Sequence, residues 1–190
     1  GILLNNGSGS IVNDSAINLN QNSNGIAIAG SSKNYDFTGS IVNSGVINLF
    51  GHGKAIFISD SQSEMGGSVM NSGIINTGDR PTNIGAHING PTSFENNGII
   101  SGKNNTLIQA GNGASIVNST NGTITGTGMA TGVLLESFFA EKQTILRNNG
   151  NIESENGTAV YSSGSAVENH GSISSGSDAV VINEHRGIQS

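Results

Sequence analysis

Apolar and polar residues alternate along this chain in one phrase that returns seven times: an aliphatic residue, a spacer, Asn, a short spacer, Gly in six of the seven copies, a spacer and Ile. Residues 41–48 (IVNSGVIN) and 69–76 (VMNSGIIN) are the clearest copies. Successive Asn residues of the phrase lie 30, 28, 25, 22, 30 and 21 residues apart. A repeat of roughly 20–50 residues indicates a solenoid, in which each unit buries its apolar side only against its neighbours.

The first strand of each repeat ends at this Asn. The residue two positions before the Asn is apolar in every copy, whereas the residue directly before it varies from Val12 to Glu95 and Arg147. Because side chains alternate between the faces of a strand, the apolar residue and the Asn both point inward. We therefore interpret the Asn residues as a structural ladder of hydrogen-bonded amides, rather than as a row that binds a glycan. The predicted ladder contains Asn13, Asn43, Asn71, Asn96, Asn118, Asn148 and Asn169.

Two further strands complete each repeat. The second strand is centred on Ile in all seven copies, and a β-branched side chain stacks well on its own copy in the next coil. The Gly two residues earlier, replaced once by Ser15, is expected to supply a positive φ at a sharp corner. The third strand follows a Gly-x-x-aliphatic pattern, and its inward residues align as Ile28, Ile56, Ile88, Ile108, Leu135, Val160 and Val180. Three short strands per coil over about seven coils predict an all-β parallel β-helix that rises about 4.8 Å per coil.

Composition agrees with a thin solenoid and limits the partners. The 190 residues include 29 Gly and no Cys, so the sequence predicts neither disulfides nor thiolate metal sites. The net charge is −6 without a cluster of Lys and Arg, which argues against nucleic acid as a partner. No apolar run reaches the roughly 20 residues of a transmembrane helix, so we expect no direct membrane insertion of this segment. We interpret residues 1–190 as a single β-helix segment and, because the pattern runs to both ends, as a fragment of a longer protein.

The ionisable residues do not form a catalytic or metal-binding pattern. A glycosidase needs two converging acids, yet Glu95 and Glu168 share an outward position three coils apart, roughly 14 Å along the axis. Arg147 precedes Glu168 by one coil, where we expect a surface ion pair. The four His residues fall at different repeat positions without metal-ligand spacing. We therefore predict that the chain is not an enzyme and has neither a cofactor nor a metal site.

Irregular loops between strands are the candidates for binding, because loops on a rigid scaffold commonly carry function. Residues 29–39 contain Tyr35 and Phe37, and residues 134–143 contain the adjacent Phe138 and Phe139. Phe138 and Phe139 either cover an edge of the solenoid or form an exposed contact patch. Tyr35 and Phe37 are further loop candidates for binding. Residues 134–142 are also the one stretch with helix-like character.

The phrases at 41–48 and 69–76 resemble the passenger-domain repeats of bacterial autotransporters, nearest to the adhesins of the AIDA and antigen-43 class. The resemblance covers nearly the whole chain. It implies a right-handed parallel β-helix, a hand that chain chirality also favours. It further implies secretion through the outer membrane to the bacterial cell surface, with residues 1–190 as a fragment of a longer passenger domain and a C-terminal translocator domain beyond it.

In that family, passengers commonly mediate adhesion, aggregation and biofilm formation, and some associate with themselves through polar ladders. The resemblance therefore implies a host surface protein, a glycan or another copy of the chain as partner, and we expect the outward strand faces and the loops to bind it. Two alternatives stay open: a stalk like those of filamentous haemagglutinin exoproteins, and a β-helical polysaccharide lyase or hydrolase of the tailspike kind. A cleft of converging acids would indicate the enzyme. If deletion of these coils shortened the reach of the protein but left its binding intact, the result would indicate the stalk.

Overall fold

A computed structural model of the chain describes residues 2–4, 9–29, 38–59, 66–137 and 142–183. Within these residues, 22 strands form three parallel sheets, and each strand pairs with the strands three places before and after it along the chain. One strand from each sheet makes up a coil. The prediction of an all-β parallel β-helix with three strands per coil over seven coils is therefore confirmed.

The three sheets are named A, B and C. Sheet A contains β1 (Ile2–Leu4), β4 (Ile26–Ala29), β7 (Lys54–Ser59), β10 (Ile84–Asn89), β13 (Thr106–Gly111), β16 (Thr131–Glu136), β19 (Val160–Ser163) and β22 (Val180–Asn183). Sheet B contains β2 (Ser10–Asn13), β5 (Ser40–Asn43), β8 (Ser68–Asn71), β11 (Ser93–Asn96), β14 (Ser115–Asn118), β17 (Ile145–Asn148) and β20 (Ala166–Asn169). Sheet C contains β3 (Ala16–Leu19), β6 (Val46–Leu49), β9 (Ile74–Asn76), β12 (Ile99–Lys103), β15 (Thr123–Thr127), β18 (Asn151–Ser154) and β21 (Ser172–Ser175).

Columns of stacked apolar side chains fill the interior. In sheet C, direct register pairs stack Ile17, Ile47, Ile75, Ile100, Ile124, Ile152 and Ile173. In sheet B, the column is Ile11, Ile41, Val69, Phe94, Ile116, Leu146 and Val167. The central members of both columns are fully buried. Both predicted columns are confirmed, and each coil buries its apolar side against its neighbours as a solenoid requires.

The alignment predicted for the third strand is wrong in register. Strands of sheet A carry two inward residues, and pairing sets Ile56 beside Ile26 and Ile58 beside Ile28. The predicted set therefore mixes two columns, with Ile28, Ile88 and Leu135 in one and Ile56, Ile108, Val160 and Val180 in the other. The residue that begins the Gly-x-x-aliphatic pattern stands one position before the Ile26–Ile56 column in some coils and three positions before it in others. The spacing of the pattern therefore does not define the register of the strand.

Glycines at the corners between sheets B and C are required by close approach, which corrects the expectation of a positive φ. Among the described residues, the glycines with positive φ are Gly78, Gly90, Gly113, Gly128 and Gly164, and none of them stands in a corner between sheets B and C. A Cβ added at Gly73 would collide with the backbone oxygen of Gly45 in the preceding coil, and one added at Gly98 would collide with that of Gly73. Corners that stack so closely leave room only for hydrogen as the side chain.

The helix-like interpretation of residues 134–142 is wrong for its first part. Leu134–Glu136 belongs to β16 and pairs in register with Gln109–Gly111, so tertiary pairing overrides local propensity. Residues 138–141 lie outside the described residues. Across the segments that the structure describes, no helix is long and apolar enough to cross a membrane.

Candidate functional site

The seven ladder Asn residues form one continuous row at the ends of the sheet B strands. From Asn13 to Asn148, each Nδ2 donates a hydrogen bond of 2.7–2.9 Å to Oδ1 of the next Asn along the chain. Nδ2 of Asn118 also donates to the corner carbonyl of Gly122 at 3.2 Å. The members from Asn43 to Asn148 have no solvent exposure, whereas Asn169 is exposed. Internal partners therefore occupy these amides, and the row holds the stacked corners together.

The aromatic loop candidates Tyr35, Phe37, Phe138 and Phe139 lie outside the described residues. Among the histidines, His52 is an exposed turn residue whose Nδ1 lies 2.6 Å from Thr82 Oγ1, and His170 is also exposed. His87 is half-buried on the outward side of sheet A. No group of three or more His, Cys, Asp or Glu that could hold a metal ion occurs in the described part of the chain.

The carboxylates considered as catalytic candidates make surface contacts. Glu95 Oε1 accepts a 2.7 Å hydrogen bond from Ser119 Oγ. Arg147 Nε donates to Glu168 Oε2 at 2.8 Å, which confirms the predicted surface ion pair. Each carboxylate thus has a partner on its own outward row or at the adjacent corner, and the structure does not bring the two together.

The outward side of sheet C carries an apolar column in its first four coils. Register pairs stack Ala16, Val46, Ile74 and Ile99 there. Ile74 is 37% exposed and Ile99 is 44% exposed, so the column faces solvent. In the following coils the same position holds Thr123, Asn151 and Ser172. The apolar column is therefore confined to one part of the β-helix.

A polar column runs beside it, two residues further along each strand. Asn48 Nδ2 donates to Asn18 Oδ1 at 2.8 Å, and Asn76 Nδ2 donates to Asn48 Oδ1 at 2.7 Å. Ser101 Oγ donates to Asn76 Oδ1 at 2.9 Å. A cavity of about 320 Å³ adjoins this end of the column and is lined by Asn76, Gly78, Ser101, Gly102, Lys103, Thr125 and Thr127. We call the apolar and polar columns together (Ala16, Val46, Ile74, Ile99, Asn18, Asn48, Asn76 and Ser101) the sheet C face.

The outward side of sheet A carries a chain of interacting side chains. Lys54 Nζ lies 4.1 Å from the centre of the Phe57 ring. The Phe57 ring packs against the His87 imidazole with centroids 5.3 Å apart and planes at 50°. His87 Nδ1 lies 3.0 Å from Gln109 Oε1, and Gln109 Nε2 donates to Glu136 Oε2 at 2.9 Å. We call these five residues the sheet A relay.

The carboxylate at one end of the relay fixes the direction of its hydrogen bonds. An ionised carboxylate only accepts, so Gln109 presents its NH₂ group to Glu136 and its oxygen to His87. His87 Nδ1 therefore carries the proton that bonds Gln109. In the neutral ring this leaves Nε2 as a hydrogen-bond acceptor.

A cavity of about 190 Å³ lies beside the relay. Asn89, Gly111 and Glu136 are register neighbours at the ends of β10, β13 and β16, and Gly111 places no side chain between the other two. A Cβ at Gly111 would lie 2.5 Å from the backbone oxygen of Glu136. The full lining is His87, Ile88, Asn89, Gln109, Ala110, Gly111 and Glu136. The cavity is thus a notch in the sheet surface with polar walls.

Burial sets the protonation state of this site. Burial lowers the pKa of His87 below its ordinary value of 6.5, and the positive charge of Lys54 lowers it further. The hydrogen bond with Gln109 and the charge of Glu136 raise the pKa of His87 in partial opposition. Burial also lowers the pKa of Lys54. The lowered pKa favours the neutral His87 ring at pH 7, and Lys54 and Glu136 act on that pKa in opposite directions.

Neither outward surface was selected from the sequence. The sheet C face has a recognisable signal, because the phrase ends in an outward aliphatic residue, an inward Ile and an outward Asn in both 46–48 and 74–76. The relay has no such signal. Its residues differ in type and lie 22 and 27 residues apart along the chain at the two side-chain hydrogen bonds, so only the register of sheet A brings them together.

Comparison of the chain with protein-family models, with curated proteins and with solved structures found no match. The fold alone therefore defines its class, a parallel β-helical repeat protein with columns of stacked apolar side chains in its interior. Any finer assignment depends on the repeat phrases and on the outward surfaces.

Proposed function

We propose that this chain is a cell-surface adhesin segment of a bacterial autotransporter passenger, and that it associates with a second copy of itself through the sheet C face. The observation that carries the proposal is the pairing of an outward apolar column, exposed at Ile74 and Ile99, with an outward amide column whose members Asn48 and Asn76 are half-buried. Protein interfaces commonly combine a desolvated apolar centre with polar groups around it. The resemblance of the repeat phrases to autotransporter adhesins supports the same function.

The amide geometry favours another copy of the chain as the partner. Each amide in the middle of the polar column, such as Asn48, uses one N–H and one oxygen lone pair along the column. An amide has a second N–H and a second lone pair, which are available to a partner. A second copy offers donors and acceptors with the same spacing of about 4.8 Å, as a two-fold interface between identical surfaces requires.

On this proposal the chain works at the bacterial cell surface after secretion through the outer membrane, without catalysis and without a cofactor, and the coil is right-handed. A host surface protein or a glycan is a further partner for the outward strand faces and loops. A haemagglutinin-like stalk and a β-helical polysaccharide-degrading enzyme are the alternatives. Incubation with polysaccharides tests the enzyme, because a loss of polymer length would contradict a purely adhesive function.

Sedimentation velocity over a wide concentration series tests self-association. We expect reversible dimers for the parent chain and monomers for the double variant Ile74→Ser/Ile99→Ser, which removes the exposed apolar centre of the sheet C face. Met70→Gln is the matched control, because Met70 has almost the same exposure as Ile74 (38% against 37%) but lies on the outward side of sheet B. The control should dimerise like the parent.

Two results would contradict the proposal in different ways. A parent chain that stays monomeric at every concentration would contradict self-association and would make host proteins and glycans the leading partners. Dimers that persist in the double variant would place the contact on another surface.

A further inference from the structure

A second surface, on a different sheet from the sheet C face, has the features of a small-ligand site. We infer that the cavity beside the sheet A relay binds one uncharged sugar ring through the polar groups of His87, Gln109 and Glu136. The inference rests on the proposed adhesin function and deepens it, because it assigns a glycan to this side of the β-helix.

The size of the cavity selects a single ring. Its volume of about 190 Å³ lies below the range of about 300–1,000 Å³ that drug-sized ligands occupy. Gly111 stands between Asn89 and Glu136 in one register row and adds no side chain to the cavity. Ile88 and Ala110 border the cavity, but their side chains are buried in the interior, so the groups that a ligand meets are mainly polar. A few placed polar groups of this kind fix the orientation of a ligand in small-molecule sites.

The polar groups at the cavity include both donors and acceptors. Glu136 uses Oε2 for Gln109, and His87 uses Nδ1 for the same side chain. Within the described part of the chain, Glu136 Oε1 and the neutral His87 Nε2 are left as acceptors. Asn89 Oδ1 accepts from Asn112 Nδ2 at 2.7 Å, which leaves the NH₂ group of Asn89 as a donor. Gln109 has a second N–H as well.

This mixture discriminates between classes of ligand. An anion would meet the charge of Glu136 at the cavity wall. An ammonium or guanidinium group would satisfy Glu136, but as a pure donor it would leave the N–H groups of Asn89 and Gln109 without partners. A sugar hydroxyl both donates and accepts, so neighbouring hydroxyls of one ring match all of these groups.

The relay also holds the site in place before a ligand arrives. Lys54 packs over Phe57, and Phe57 packs against the His87 ring. The two hydrogen bonds of Gln109 then fix His87 and Glu136 relative to each other. Groups held in this way lose little conformational freedom on binding, which favours the binding of a small ligand.

Two-dimensional ¹H–¹⁵N NMR of the 190-residue chain tests the inference, with glucose, galactose, mannose, fucose and N-acetylglucosamine titrated one at a time. We expect at least one sugar to shift the amide signals of Gln109 and Gly111. Glu136→Gln removes a charged acceptor, so we expect binding weaker by roughly tenfold or more. Gln109→Met breaks the relay at its centre and should have the same effect. Glu95→Gln is the matched control, because Glu95 also accepts a side-chain hydrogen bond on an outward face, in sheet B. The Glu95→Gln variant should bind the sugar with the affinity of the parent.

The inference is overturned if no sugar shifts the signals around the cavity, or if Glu136→Gln and Gln109→Met both bind as the parent does. Shifts confined to sheet C would also overturn it. Sedimentation velocity on the same samples separates this inference from the proposed function. Dimers without sugar binding would leave self-association intact and remove the glycan site. Sugar binding by a chain that stays monomeric at every concentration would support the glycan site and contradict self-association.

Discussion

Asn43 donates a 2.7 Å hydrogen bond from Nδ2 to Oδ1 of Asn71, and neither side chain has any solvent exposure. Asn71 in turn donates to Asn96 at 2.8 Å. Each interior amide is therefore a donor to one coil and an acceptor from the other, so the row is directional along the whole β-helix. In a buried environment such chains of hydrogen bonds strengthen one another, and an unpaired member is costly.

Asn71→Ala is expected to destabilise the chain strongly. The substitution leaves the Nδ2 group of Asn43 and the Oδ1 atom of Asn96 without their ladder partners inside the β-helix. Because each buried polar group without a partner costs about 1–3 kcal/mol, we expect the two groups together to lower the free energy of unfolding by roughly 2–6 kcal/mol. Urea titration followed by circular dichroism measures the loss.

Asn169→Ala is the control for this prediction. Asn169 is exposed at the end of the row, and Asn148 Nδ2 keeps the backbone oxygens of Gly150 and Ser172 as partners. The expected change is about 0.5 kcal/mol or less, as for other surface substitutions. Equal losses for Asn71→Ala and Asn169→Ala would show that burial of the ladder does not determine its energetic role.

Gly73→Ala tests the stacking of the corners. The new Cβ would collide with the backbone oxygen of Gly45, and a backbone atom cannot move aside without disturbing its own coil. We expect a loss of about 1–3 kcal/mol in the free energy of unfolding, as for other overpacked sites. Gly9→Ala is the control, because a Cβ at Gly9 meets nothing within 4 Å. A Gly73→Ala variant as stable as the Gly9→Ala variant would mean that the corners can separate without cost.

Sheets B and C were predictable from the sequence because their short strands alternate strictly and share one corner phrase. Asn13 and Ile17 have fixed positions relative to that corner, so each copy aligns with the next and the columns follow. In sheet A, Ile26 and Ile28 are both apolar and both inward, so a period of two residues cannot show which of them pairs with Ile56. Only the pairing of β4 with β7 decides that register.

The candidate site was not predictable, because it depends on this register. The cavity arises where Gly111 meets Asn89 and Glu136 across two strand pairs, and the sequence holds many other glycines with no such neighbours. The corner glycines illustrate the same limit. Their presence was evident, but the reason for it, contact between stacked backbones such as Gly45 and Gly73, follows only from the distance between coils.

The ion pair of Arg147 and Glu168 is expected to contribute little to stability. Their side chains are 47% and 46% exposed, so water and salt screen the interaction. A double-mutant cycle with Arg147→Met and Glu168→Gln should give a coupling energy of about 0.2–1 kcal/mol at low salt, falling as salt is added. A larger coupling that resists salt would contradict a solvent-exposed pair.

Stability should depend on the protonation of His87. Burial, assisted by Lys54, lowers the pKa of His87 in the folded chain below 6.5. Between the two pKa values the unfolded state binds more protons than the folded state, so stability falls as the pH drops through 6.5 towards the folded pKa. Well above pH 6.5 the His87 ring is neutral in both the folded and the unfolded state, so it does not make stability depend on pH. Urea titrations across this range should show a smaller slope for His87→Gln than for the parent, and an unchanged slope would contradict the prediction.

The causes of the His87 shift can be separated by substitutions with opposite expected signs. Lys54→Gln removes a positive neighbour, so the pKa of His87 should rise. Gln109→Met removes a hydrogen bond that favours the protonated ring, so the pKa of His87 should fall. Lys103→Gln, an exposed residue of sheet C, is the control for removal of one positive charge and should leave the pKa unchanged. NMR titration of the imidazole Hε1 signal measures all three. An unchanged pKa of His87 in both Lys54→Gln and Gln109→Met would mean that burial alone controls the ring, and a shift of the opposite sign to the one expected would contradict the role given to that neighbour.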